Sequence, residues 1–282
     1  MQVIRSSRRM AAFARRMRRQ GKRIGLVPTM GALHDGHVAL MRRARRANDL
    51  VVATIFVNPL QFGPREDYAR YPRALRQDLR LAREAGVDIV FAPPLDAVYP
   101  PGFQTRLRAG PLAARWEGAV RPGHFDGVVT VVAILFQLTQ PTDAYFGQKD
   151  YQQARIIARL IHDLQLPIRF HLCPTVREPD GLAMSSRNRY LLPQDRPRAA
   201  ALIRALRAAR ARLRAGQRNA AFVQRQMWAI LQREPGVRVD YAAITDAETL
   251  EPLTRVRGRV ALLVAARVGR TRLIDNLLVD VS

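Results

Sequence analysis

As far as Cys173, short apolar runs alternate with amphipathic helical stretches, and that alternation admits few folds. Leu50 to Val57 is a continuous run rich in β-branched residues, which suits a strand buried on both faces. Ile24 to Pro28, Val87 to Phe91, Ala144 to Phe146 and Ile168 to Cys173 have the same character. Helices are predicted between them at His37 to Asn48, Arg73 to Ala85, Gly127 to Leu138 and Gln152 to Leu164. In the second of these Leu75, Leu79 and Ala82 share one side, and Gly86 ends it as a C-terminal cap does. This rhythm predicts an α/β fold whose parallel sheet carries helices on both faces.

After about Arg189 the texture changes. Two helices, Arg196 to Arg214 and Ala221 to Arg233, precede three strand-like runs around Val237 to Ile244, Val260 to Ala266 and Leu273 to Val279. This composition predicts a smaller α+β C-terminal domain. At 282 residues the chain exceeds what one core comfortably holds. The expected division is 1–175 and 176–282, with a short linker near Pro174 to Pro179.

The formal net charge of +24 raises the question of a polyanionic partner. Lys22 and Lys149 are the only lysines among 47 basic residues, a bias that points to codon usage rather than to a binding surface. The arginines are scattered, with denser patches at Arg5 to Arg23 and Arg196 to Arg218, and read as solvated helix faces. Nucleic acid is therefore not the expected partner. The first acidic residue is Asp35, and an acid-poor, arginine-bearing start has the composition of a transit peptide. Met10, Phe13, Ala14 and Met17 nevertheless fall at i, i+3, i+4 and i+7, so this segment is expected to be the first helix of the fold. No apolar run approaches the ~20 residues a membrane span needs. Cys173 is the only cysteine, which excludes an intramolecular disulfide and suits a cytoplasmic protein.

Four segments carry the polar groups from which chemistry could be built. Pro28 to His37 follows a strand and opens a helix, the place where open α/β sheets bind ligands. Gly31 lets backbone come close to a ligand, and His34 and His37 stand at a helix N-terminus, where histidines and free amides can meet phosphate oxygens. A zinc site on the same histidines lacks any further ligand set of recognisable spacing. The second segment, Phe146 to Gln153, contains Lys149 beside Gly147 at a strand end. A compact ammonium retained in a chain otherwise given over to arginine suits a phosphate. The third, Asp180 to Asn188, offers Ser185, Ser186 and the donor fork of Arg187. In the fourth, Asn58 and Gln61 are neutral polar groups suited to the hydroxyls and carboxylate of a small substrate. Tyr71 follows them, and Arg121, Gly123 and His124 belong to a segment expected to close over the same cleft.

Together these segments resemble the pantothenate synthetase family. PTMGALHDGH, FVNPLQFGPREDYARYPR, EGAVRPGHF, FGQKDYQQ and DGLAMSSRNRYL stand in that family's order and spacing. The looser pair, His-x-Gly-His with a later Met-Ser-Ser-Arg, is also similar to the wider group of nucleotidylyltransferases, which keep a nucleotide on their product, and class I aminoacyl-tRNA synthetases. The resemblance implies a Rossmann-like nucleotide domain, a smaller lid domain, a homodimer, and Mg²⁺-dependent use of ATP to join pantoate to β-alanine through a pantoyl-adenylate. It implies that Met30, Gly31, Ala32, Leu33, His34, Asp35, Gly36 and His37 line the ATP site, with His37 as proton donor toward the departing phosphate. Lys149, Ser185, Ser186 and Arg187 would neutralise charge on the triphosphate. Gly147 and Val176 would meet the nucleoside through backbone, and Gln148, Asp150 and Met184 complete the ATP set. Gln61 and Gln153 would orient pantoate, with Asn58, Tyr71 and Arg121 in the same substrate set. Asp150 would serve either Mg²⁺ or Lys149. Many members carry Glu at the place of Gln148 and Lys at the place of Ile134.

Overall fold

The computed structural model describes residues 1–64 and 66–281. Among the described residues the chain divides into two compact units, Met1–Gly147 with Gln153–Pro174, and Gln148–Gln152 with Thr175–Ser282.

The first unit holds strands β1 (Gln2–Ile4), β2 (Ile24–Thr29), β3 (Leu50–Ile55), β4 (Ile89–Phe91), β5 (Asp143–Gly147) and β6 (Arg169–Cys173). They form one sheet in the order β1-β4-β3-β2-β5-β6, and every pairing is parallel. Its helices are α1 (Ser7–Arg19), α2 (Asp35–Ala47), α3 (Leu75–Glu84), the single turns α4 (Leu95–Val98) and α5 (Glu117–Val120), then α6 (His124–Thr139) and α7 (Tyr151–Asp163). The period-2 alternation of the strands sorts the core into two layers. Leu26, Val52, Ile89, Phe91, Ala144 and Phe146 pack with residues of α1, α6 and α7 on one face. Val27, Val51, Ala53, Val90 and Tyr145 pack with α2 and α3 on the other. Helices thus cover both faces, as the sequence rhythm predicts.

β1 was outside that expectation. Three residues are too short to show a period, and its place at the sheet edge comes only from pairing with β4. Met10 and Ala14 of α1 are buried and Phe13 and Met17 pack against them, so the N-terminal segment is a helix of the fold. At the start of β5, the buried Asp143 is gripped by Arg169 Nε and Nη2, each at 2.9 Å, and by His171 Nε2 at 2.7 Å. Burial pulls that carboxyl upward, but bonds from Arg169, His171 and Thr142 outweigh it and hold it well below the usual range.

The second unit is built on an antiparallel sheet of β7 (Val237–Asp246), β8 (Gly258–Val268) and β9 (Thr271–Val281). α8 (Arg196–Ala199), α9 (Ala201–Arg214) and α10 (Ala220–Gln232) supply Ala199, Leu202, Leu206, Val223 and Met227 to its core, which they share with Leu262, Val264 and Leu273. The predicted helix Arg196 to Arg214 is divided at Ala200. Among the described residues no helix is long and apolar enough to cross a membrane.

Candidate active site

The sheet order reverses direction between β2 and β5, which places a crevice at the carboxyl ends of those strands. At the end of β2, Thr29 Oγ1 donates to the Thr54 carbonyl (2.6 Å) and accepts from Gly31 N–H (3.1 Å). The chain then doubles back through left-handed residues, Gly31 at φ 78° and Ala32 at φ 50°. A Cβ on Gly31 would stand 2.9 Å from Asp78 Oδ2 and 3.0 Å from Ile55. Asp78, on α3 and only 2% exposed, accepts from Ala32 N–H at 3.0 Å and from Leu33 N–H at 2.8 Å. These two amides face inward, toward the carboxylate.

His34 is the N-cap of α2. Its Nδ1 accepts from Gly36 N–H (3.1 Å), and His37 Nδ1 accepts from His34 N–H (3.3 Å). This is a capping box built from two imidazoles whose ring centroids lie 4.1 Å apart. A ring nitrogen that accepts a hydrogen bond carries no proton, so each neutral ring holds its hydrogen on Nε2. The expectation that free amides of this turn would bind phosphate is thereby corrected. The amides of Ala32, Leu33, His34, Gly36 and His37 are all spent inside the protein, the last on the His34 carbonyl at 2.8 Å. The two imidazole Nε2–H groups are the donors the motif supplies.

Gln61 closes a short turn, Pro59–Gln61, after β3. Gly127 of α6 allows this turn to lie against the helix, since a Cβ there would fall 2.2 Å from the Leu60 carbonyl oxygen. Asn58, expected to meet substrate, is engaged inside the protein. It is 1% exposed, and its Oδ1 accepts from Leu60 N–H and from Tyr99 Oη (2.7 Å). Its Nδ2 donates to the Gly127 carbonyl and to Gln61 Oε1, both at 3.0 Å. Asn58 therefore orients Gln61. With Oε1 occupied, the Gln61 amide presents Nε2 as a donor, 3.1 Å from Met30 Sδ.

Arg121, expected in the same substrate set, is likewise engaged inside the protein. It holds Glu66 through two bonds of 2.7 and 2.6 Å and donates to the Gln61 carbonyl (3.2 Å) and to His124 Nε2 (3.0 Å). A guanidinium so committed braces the Gln61 turn. His124 Nδ1–H donates to the same Gln61 carbonyl at 2.8 Å. Burial, and then the nearby Arg121 charge, depress the His124 ring to about 4, so it stays neutral. Tyr71 is buried with its ring edge-on to Phe62. Gln153 lies in the first turn of α7, half-buried. A cavity of about 310 Å³ is lined by Gln61, Phe62, Arg106, Arg108, His124 and Thr130. Another, of about 850 Å³, borders the β2 loop at Met30 and Asp78 but includes neither histidine, so its size is no guide to the chemistry.

In the second unit Lys149 sits on the turn Gln148–Asp150, its Nζ 3.4 Å from Asp150 Oδ1. Asn276 of β9 donates to the carbonyls of Gln148 (2.8 Å) and Lys149 (2.9 Å), and accepts from Gln148 Nε2 at 3.2 Å. Val176 and Met184 face each other across a small hairpin closed by Met184 N–H to the Val176 carbonyl (3.0 Å) and by the Arg177–Ala183 bridge. Ser185 Oγ caps the turn Ser186–Tyr190 by accepting from Arg187 N–H at 3.2 Å. The hairpin is anchored by Arg177, whose guanidinium meets Asp275 at 2.6 and 2.9 Å.

Asp78, Tyr99, Asp275 and Asn276 were not singled out from the sequence. For Asp78 a signal existed. It lies three residues after Leu75 and four before Ala82, an acid on the apolar stripe of a helix.

The family described as pantoate-beta-alanine ligase matches residues 2–278 of this chain. The chain belongs to the pantoate–β-alanine ligase family. The pantothenate synthetase of Moorella thermoacetica is 52% identical over 282 residues, covering 100% of this chain and 99% of its own. The crystal structure of pantothenate synthetase from Thermus thermophilus superposes with a TM-score of 0.94 at 51% identity, covering 98% of this chain and 99% of that one. The pantoate-beta-alanine ligase from Francisella tularensis, solved in complex with beta-gamma ATP and beta-alanine, is 34% identical with a TM-score of 0.80, covering 99% and 97%. Against that family's pattern, Gln148 has a local explanation here. Its Nε2 donates to Asn276 Oδ1, which a glutamate could not do, and Asp150 keeps a carboxylate beside Lys149. Ile134 packs against the core beneath α6, where an apolar residue suits its surroundings.

Proposed function

We propose that this ligase joins pantoate to β-alanine at the expense of ATP, in two steps. The pantoate carboxylate oxygen attacks the α-phosphorus, the bond from that phosphorus to the bridging oxygen breaks, and pyrophosphate leaves with the electron pair. The β-alanine amine then attacks the acyl carbon, the bond to the adenylate oxygen breaks, and AMP leaves as the amine loses a proton. The observation that carries this reading is the imidazole capping box, which commits both His34 and His37 to Nε2–H donation at the carboxyl edge of β2.

In this scheme His34 and His37 donate to phosphate oxygens, and the His37 proton accompanies charge growing on the departing pyrophosphate. Met30 to Leu33 with Asp35 and Gly36 form the wall of the ATP site. Lys149, Ser185, Ser186 and Arg187 add fixed positive and hydroxyl donors for the triphosphate, and Gly147, Gln148, Val176 and Met184 contact the nucleotide. Gln61, its amide turned by Asn58, offers Nε2–H to a pantoate oxygen, and Gln153 serves the same substrate.

Among the described residues no cluster of three or more His, Cys, Asp or Glu forms a metal cage. One part-exposed carboxylate, Asp150, instead fits Mg²⁺ carried in on the triphosphate, which keeps most of its waters and takes one or two protein ligands. When bound there, Mg²⁺ neutralises phosphate charge. A cytoplasmic homodimer completes the proposal, cytoplasmic because the reaction consumes ATP and a single cysteine cannot form an intramolecular disulfide.

ATP–pyrophosphate exchange measured with and without pantoate tests the scheme. Exchange that requires pantoate is expected. Exchange indifferent to pantoate, none at all, or a stable nucleotidylated product would overturn it.

A further inference from the structure

β9 carries two consecutive polar residues that are both buried, Asp275 at 3% and Asn276 at 2% exposure. Burying polar groups in a strand is costly unless each finds partners. Here, among the described residues, every side-chain partner lies on one of two segments, the Lys149 turn or the Arg177 hairpin, apart from the Asn276 backbone amide, which donates to Asp275 Oδ1. Successive side chains of a strand point to opposite faces. Asp275 shares the face of Leu273, Val279 and Val281, which pack with the helices. On that side it receives Arg177, whose hairpin presses Gly181 against Ile203 and Arg207 of α9. Asn276 points to the other face and receives the turn Gln148–Asp150.

We propose that Asp275 and Asn276 are the positioning pair of the triphosphate-binding set: Asn276 holds the turn that bears Lys149, and Asp275 holds the hairpin that leads to Ser185, Ser186 and Arg187. The inference rests on the triphosphate role given above to Lys149. One rigid strand thereby sets the spacing between an ammonium and a serine–arginine segment that arrive from opposite faces of a sheet. The two Asn276 donor bonds point at carbonyls, so they fix the backbone from which the lysine extends. Gln148 completes the arrangement by occupying Asn276 Oδ1, which keeps the amide from turning over. Asn276 touches none of the reacting atoms and acts through Lys149.

The experiment compares Asn276→Ala, Lys149→Ala and the double variant in the full chain, with steady-state kinetics for ATP and for pantoate, and far-ultraviolet circular dichroism as the folding control. Asn276→Ala is expected to lower kcat/KM for ATP by about 100-fold, the scale of a loss of alignment, with KM for pantoate unchanged. The double variant should be no slower than Lys149→Ala. Losses that multiply in the double variant, or kcat/KM for ATP within twofold of the parent in Asn276→Ala beside a crippled Lys149→Ala, would overturn the positioning role alone. A near-normal Lys149→Ala would overturn the role of the lysine on which it rests. Should Asn276→Ala fail to fold, Asn276→Asp keeps the shape of the side chain and removes both donor bonds to the turn carbonyls. It is expected to cost about fivefold in kcat/KM for ATP, and no change would overturn the proposal.

Discussion

An imidazole whose Nδ1 accepts a hydrogen bond must carry its proton on Nε2, and His34 and His37 both meet that condition through backbone amides of the same turn. His37→Ala removes the reacting donor together with half of the capping box. Turnover is expected to fall about 100- to 1000-fold, as for loss of one preorganised donor, with stability down by about 1 kcal/mol. Pyrophosphate release and urea denaturation measure the two effects separately. Asp78 matters in a different way, because its two oxygens face two N–H groups. An asparagine there would turn an amide NH₂ toward one of those donors. Asp78→Asn is therefore expected to destabilise the first unit by about 1–3 kcal/mol and to raise KM for ATP, while the near-identical shape leaves the core intact.

At the scale of elements, the Pro59–Gln61 turn is placed by α6 from several directions. Gly127 gives it room, and Arg121 and His124, at the entry to the helix, donate to the Gln61 carbonyl. In Gly127→Ala the new methyl meets the Leu60 carbonyl, and helix propensity favours the alanine. The turn is the part that gives way, so KM for pantoate should rise about tenfold, the cost of a misplaced contact. His124 adds a pH dependence with a definite sign. Its folded value is depressed to about 4 while the unfolded chain titrates near the ordinary 6.5. Below that ordinary value the unfolded chain binds the extra proton, so stability is present above about pH 6.5 and lost as pH falls toward 4. The full loss is of order 3 kcal/mol. Urea midpoints measured between pH 7 and 4.5 should fall on acidification, and a His124→Phe variant should show a shallower slope over that window.

At the scale of the whole molecule, the charge of +24 is distributed over many helix surfaces, and numerous arginines are already paired, as Arg45 with Asp88 and Arg272 with Asp240. A polyanion reads a continuous basic stripe, and affinity built on scattered cations falls steeply with salt. Titration with duplex DNA at physiological ionic strength is expected to show no specific complex. Retention that resists that salt would reopen the nucleic-acid reading.

What the residues alone determined was the kind of fold, and they marked the segments from which chemistry could be built. Apolar runs of strand length between amphipathic helices leave a parallel sheet as the arrangement that buries them. Local motifs such as Pro28 to His37 and Phe146 to Gln153 declare themselves because their residues are neighbours in the chain. Which polar atoms of those segments are already bonded inside the protein was decided by tertiary structure. Asn58 and Arg121 look like substrate ligands in one dimension, yet their polar atoms are taken up by Tyr99, Gly127, Gln61, Glu66 and His124. Asp78, Asp275 and Asn276 carry no local mark of importance, because the amides and carbonyls they satisfy belong to segments remote in sequence. Periodicity reports which side chains must be buried; which buried polar atoms find one another depends on how the chain returns to itself.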